Sequence, residues 1–78
     1  MKVEYFPGTD TLSIVFASGP FVPEGEDTID PNVTLLYDDE NRIAEILIEH
    51  ASERIDLAEL RRKVSFEEVH DLTEPRAA

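Results

Sequence analysis

The sequence predicts an α+β domain, an antiparallel β-meander of four to five strands with one or two short C-terminal helices. Three observations carry that expectation. Apolar residues alternate with polar ones from Val3 to Ile48, the period of half-buried strands. Turn residues punctuate the alternation at Pro7-Gly8, Gly19-Pro20, Asp30-Pro31 and Asp39-Glu40-Asn41. The period then lengthens to a helical one after Asp56.

The first strand is read from Val3 and Tyr5, which alternate with Lys2 and Glu4. Pro7 pre-sets the first position of a tight turn and Gly8 is expected to take the left-handed position after it. Leu12, Ile14 and Phe16 then share one face of a second strand, so the pair reads as a hairpin. From Ser18 to Asn32 the chain is irregular. Glu26 to Asp30 reads as a short edge strand whose carboxylates would deter edge-to-edge pairing.

Val33 to Asp38 and Arg42 to Glu49 form the second hairpin around Asn41, which tolerates left-handed backbone. An even loop, with Asp38 opposite Ile43, puts Val33, Leu35 and Tyr37 on one face with Ala44, Ile46 and Ile48. An odd loop would mix Glu45 and Glu49 into that face, at a high burial cost. Asp56 and Glu59 have capping-box spacing ahead of Leu57, Leu60 and Val64, with Arg61, Arg62 and Lys63 closing the helix. Ser65 and Glu68 repeat the cap spacing, but a last strand through Phe66 fits as well. Residues 1–72 make one α+β domain on this reading, and residues 73–78 a frayed tail.

The expected core is Val3, Tyr5, Leu12, Ile14, Phe16, Val33, Leu35, Tyr37, Ala44, Ile46 and Ile48, covered by the helix. Leu36, Ile43 and Leu47 fall on the opposite face, with Val15 near them. One short helix cannot cover both faces, so these three predict a self-association surface.

Composition narrows the function. At 78 residues the chain has a stability of a few kcal/mol, roughly 0.05–0.15 kcal/mol per residue. It has no cysteine, hence no disulfide and no thiolate metal site. The formal charge of −11 argues against nucleic acid and against anionic membrane surfaces as partners. The charge is uneven: up to Asn41, Lys2 is the sole basic residue beside nine carboxylates. That half suits solubility or a small basic protein partner. The opening residues read as a strand and lack the apolar segment of a signal peptide, so the cytoplasm is the expected compartment.

No catalytic residue, cofactor or metal site is expected. The three glycines, Gly8, Gly19 and Gly25, cannot form a phosphate loop. Glu49, His50 and Glu53 could supply metal ligands for a small hydrolase, but a solvated or structural histidine is the simpler reading. Asp38-Asp39-Glu40 lacks the glycine and distal glutamate of a calcium loop and reads as turn chemistry.

The pattern Tyr5…Asp10-Thr11-Leu12…Ile14, then Val33…Tyr37-Asp38-Asp39…Arg42-Ile43…Ile46…Ile48…Ala51-Ser52, resembles the domain-of-unknown-function 2283 family of small prokaryotic proteins. The likeness runs from Met1 to about Arg54. It departs at Phe6, Ser13, Leu36 and Leu47, where the family is expected to carry Asp, Tyr, Asp and Glu, and at Asn41, which replaces a turn glycine. The resemblance implies a compact antiparallel sheet with a helix and brings no catalytic or binding residues. Some relatives look like halves of paired toxin–antitoxin genes. The expected function is therefore a non-enzymatic interaction domain that forms a homodimer, with an antitoxin-like binder of a small basic protein as the alternative and a metal-dependent hydrolase as the reading from another class.

Overall fold

The structure, a computed structural model, describes residues 1–70. Six strands and two short helices follow in chain order: β1 (Lys2–Phe6), β2 (Thr11–Val15), β3 (Gly25–Asp30), β4 (Val33–Tyr37), β5 (Ile43–Glu49), α1 (Ala51–Arg54), α2 (Leu57–Lys63) and β6 (Glu67–Glu68). They form one sheet in the order β3-β4-β5-β2-β1-β6. Every neighbouring pair is antiparallel except β1 and β6. The expected α+β class and antiparallel sheet therefore hold. The sheet differs from a plain meander in that β5 returns to lie beside β2, which joins the β1–β2 hairpin to the β3–β4–β5 meander.

Both hairpin turns depart from the expected chemistry in an instructive way. At the first, Thr9 N–H donates to Phe6 O and Asp10 N–H to Pro7 O, and the residue in left-handed backbone is Asp10, at φ 52°, rather than Gly8. Aspartate is one of the few residues that visits this region readily. At the second, Asp38 N–H donates to Arg42 O, which closes an odd loop of Asp39, Glu40 and Asn41, with Asn41 left-handed as expected. The even loop is thus corrected, yet the expected facing survives. A β-bulge skips Ala44, so Tyr37 lies opposite Ile43 while Leu35 faces Ile46 and Val33 faces Ile48. The extra residue of the bulge cancels the odd residue of the loop, and the register beyond is the one burial demands.

One face of the sheet carries the main core. Val3, Leu12 and Ala51 are buried there, with Tyr5, Ile14, Ile48, Leu57, Leu60, Val64 and Phe66 packed against them. Helix α2 supplies Leu57 and Leu60, and its start is capped as its sequence requires, the Asp56 carboxylate accepting from Glu59 N–H at 3.0 Å. The segment after it resolves as strand: Glu67 and Glu68 pair in parallel with β1, and Val69 N–H donates to Tyr5 O. Phe66 packs on the core and carries the Arg61 guanidinium 4.5 Å over its ring. The second helix of the fold is instead α1, directly after β5. The frayed tail expected at 73–78 lies outside the described residues.

The opposite face is where the structure overturns an expectation. Leu36 is 1% exposed and Leu47 4% exposed, within a single chain. Phe6, Thr11 and Ser13 are buried with them. The connection from Val15 to Gly25 passes along part of this face. Its residues Ala17 to Phe21 line a hollow with Lys2, Glu4 and Val15, and Glu24 N–H then reaches Tyr37 O on the far side of β5. Ile43 does not join the buried pair. The bulge turns it to the helix-bearing face, opposite Tyr37, where it is 45% exposed.

Candidate functional site

Three features compete as a site: a carboxylate node at Asp10, a buried glutamate at Glu45, and an uncovered apolar strip.

The node begins with a difficulty of local structure. Helix α1 has only four residues, and the residue before it, His50, is left-handed and gives no side-chain cap. The first amides of the helix therefore need acceptors from elsewhere. Asp10 supplies them from the β1–β2 turn. Its carbonyl accepts Ala51 N–H at 2.9 Å, and its carboxylate accepts Ser52 N–H at 3.0 Å and Ser52 Oγ–H at 2.6 Å. Tyr5 Oη donates to the same carboxylate at 2.5 Å. The left-handed turn at Asp10 is what aims it at the helix. Burial pushes the Asp10 pKa upward, but the Ser52 hydroxyl, the Tyr5 hydroxyl and the Ser52 amide outweigh it, with His50 acting in the same direction, and the net shift is downward. Tyr5, tied to that carboxylate and partly buried beside it, is pushed up to about 12. A carboxylate held ionised with its donors in place is a poor general base, and Ser52 gives its proton to a weak acceptor. The chemistry is that of a cap. At the other end of α1, Arg54 pairs with Asp30 at 2.9 Å and ties the helix to the β3–β4 turn.

The suggested metal ligands do not converge. His50 Nδ1 lies 3.5 Å from Glu53, both largely exposed, while Glu49 faces Thr11 across the sheet. No group of three ligating side chains stands together among the described residues. Asp38 is occupied with its turn, accepting from the amides of Glu40 and Arg42 and from Arg42 Nε.

Glu45 is 1% exposed and accepts a hydrogen bond from Ser13 Oγ, on the face that also buries Leu36 and Leu47. Leu36 lies directly opposite Glu45, and Ser13 opposite Leu47. Sequence reasoning placed Glu45 on a wet face. The legible signal was Ser13, a small hydroxyl residue facing a carboxylate strand among leucines.

The apolar strip lies on the helix-bearing face. Ile14, Ile46 and Leu35 form a row across three strands and are only half-buried. Beyond them, toward the hairpin end, Phe16 is 46% exposed and Ile43 45% exposed. Helix α2 is seven residues long, about 10 Å, and covers the part of the sheet nearer Val3 and Leu12. Phe16 was expected in the core, and Leu35 and Ile46 were expected to be fully covered. Of the three expected self-association residues, the strip contains Ile43, while Leu36 and Leu47 lie buried on the other face. No helix among the described residues is long and apolar enough to cross a membrane.

Comparison with known proteins adds one finding. Searches of the curated proteins and of the solved structures returned no match. The family model described as "Protein of unknown function (DUF2283)" matches residues 2–52, from the start of β1 to the second residue of α1. The match holds Tyr5, Asp10 and Ser52, and so both halves of the cap that joins the first turn to the end of β5. On that span, well over half of the chain, the protein belongs to the DUF2283 family.

Proposed function

We propose that this protein is a non-enzymatic interaction domain that self-associates through the apolar strip around Phe16 and Ile43. The observation that supports the reading is the exposure of these two side chains on a sheet face whose helical cover, among the described residues, is the short pair α1 and α2. Burying what remains exposed of each is worth roughly 1 kcal/mol, from about 25 cal/mol per Å² of apolar area, and Ile14, Leu35 and Ile46 extend the contact. A second copy fits this strip because the strip is uncharged. Two chains of charge −11 repel one another wherever carboxylates meet, and here aliphatic and aromatic groups would meet instead.

Sedimentation equilibrium on the wild type and on Phe16→Asp with Ile43→Asp tests the reading. Both positions are exposed in the single chain, so the variant keeps its fold, which circular dichroism checks. A wild-type dimer that the double substitution converts to a monomer is the expected result. A wild type that stays monomeric at high micromolar concentration, or a dimer indifferent to both substitutions, overturns it.

A further inference from the structure

The sheet has an open edge at β3, and its chemistry differs from that of the strip. Residues Gly25 to Ile29 are exposed, β4 is the strand's one neighbour among the described residues, and the outward backbone amides and carbonyls of such an edge form a template for another strand. Along and beside this edge stand Glu24, Glu26, Asp27 and Asp30, with no basic residue between Lys2 and Arg42. Asp30 is neutralised by Arg54, and Asp27 accepts the Tyr37 hydroxyl at 2.8 Å. Glu24 and Glu26 enter no ion pair among the described residues.

We infer that β3 is a docking edge for an extended basic segment of another protein, which adds as a seventh strand along Gly25–Thr28. Charge decides the occupant. A second copy presenting the same edge would set Glu26 and Asp27 against their own counterparts, and like charges directly opposed are destabilising. A strand bearing Lys or Arg at alternate positions meets carboxylates instead, while its backbone completes the ladder. The bulge between Thr28 and Asp30 ends the regular edge, which limits the docking site to a short segment. The edge adjoins the strip where Asp27 pairs with Leu35, but Phe16 and Ile43 lie off β3, so either site can exist without the other.

The test uses the full chain and a capped synthetic heptapeptide of alternating lysine and valine, followed by amide NMR and hydrogen exchange. Saturable shifts centred on Gly25–Thr28, slowed exchange at β3 amides, and at least tenfold weaker binding to Glu24→Lys with Glu26→Lys are expected. An N-methylated peptide of the same charge should lose binding, because it cannot complete the ladder. The inference is overturned by the absence of shifts at about 1 mM peptide, a concentration that detects even weak association. Equal binding of the N-methylated peptide, or shifts centred elsewhere, overturns it as well. Phe16→Asp with Ile43→Asp should bind the peptide as the wild type does, whatever its oligomeric state.

Discussion

The two faces of this sheet are built from the same strands but covered by different means. On one, a short amphipathic helix packs over Val3, Leu12 and Ala51 and stops short of Phe16 and Ile43. On the other, the irregular connection after β2 accompanies the near-complete burial of Leu36, Leu47 and Glu45. A helix brings its own backbone hydrogen bonds and a fixed stripe of side chains, so it covers a defined area and no more. The face without the helix is nonetheless the one that buries Leu36 and Leu47 almost completely. The face with the helix is thus the one with unfinished business, which inverts the usual expectation that the helix marks the better-buried side.

The comparison breaks most visibly at Leu36. Leu36→Asp places a carboxylate opposite Glu45 in a dry site and should cost about 4 kcal/mol or more, enough to unfold much of a domain this small. Ile43→Asp, on the other face, should cost about 1 kcal/mol, since close to half of that side chain is already exposed. Urea titration of both variants measures the contrast. Equal costs would mean that the two faces are covered alike.

Glu45 sharpens it next. Glu45→Ala leaves a cavity and an unpartnered Ser13 hydroxyl, for an expected loss of about 2–4 kcal/mol. Glu45→Gln keeps an acceptor for Ser13 and should lose clearly less. If the alanine variant unfolds at the wild-type urea midpoint, the pair contributes nothing to that face.

The Asp10 cap holds the helix-bearing side together and has a pH signature. Asp10→Ala should cost about 1–2 kcal/mol, the usual range for a lost cap, with partial exposure favouring the lower end. Because the folded state lowers the Asp10 pKa below 3.8, its contribution is fully present above that value and is lost as pH falls through the lower folded value. Tyr5 runs the other way. Its pKa rises from 10.0 to about 12, so its contribution is complete below 10 and fades as pH climbs toward 12. Chemical denaturation from pH 2 to 5 should show a shallower acid loss for Asp10→Asn than for the wild type. An unchanged acid limb would remove Asp10 from the account. The smallest effect belongs to Phe16→Ser, about 1 kcal/mol in monomer stability, since about half of that ring is already exposed.

Much of this was legible in the sequence, for identifiable reasons. Alternation located the strands, because a period of two has few competing explanations. The Asp56–Glu59 spacing located α2, and the burial cost of Glu45 and Glu49 on the helix face fixed the pairing of β4 with β5. What alternation cannot encode is the cover. Which of Leu36 or Phe16 ends up wet is a matter of tertiary packing, and the Gly- and Pro-punctuated stretch from 16 to 24 has no period to read. The compensation of an odd loop by a bulge was equally hidden, and it alone separates Ile43 from Leu36 and Leu47. The Asp10–Ser52 contact joins residues 42 positions apart, beyond any local rule.

That separation carries a consequence for how the molecule assembles. A helix whose cap comes from its own sequence can begin as a local fluctuation. Helix α1 cannot, because four residues with a left-handed entry have nothing to nucleate on, and its acceptors arrive only when the first hairpin docks beside β5. The loop-closure entropy of a long chain segment must be met first. Helix α1 is therefore a late event by construction, formed as a result of the sheet's closure and serving to lock it.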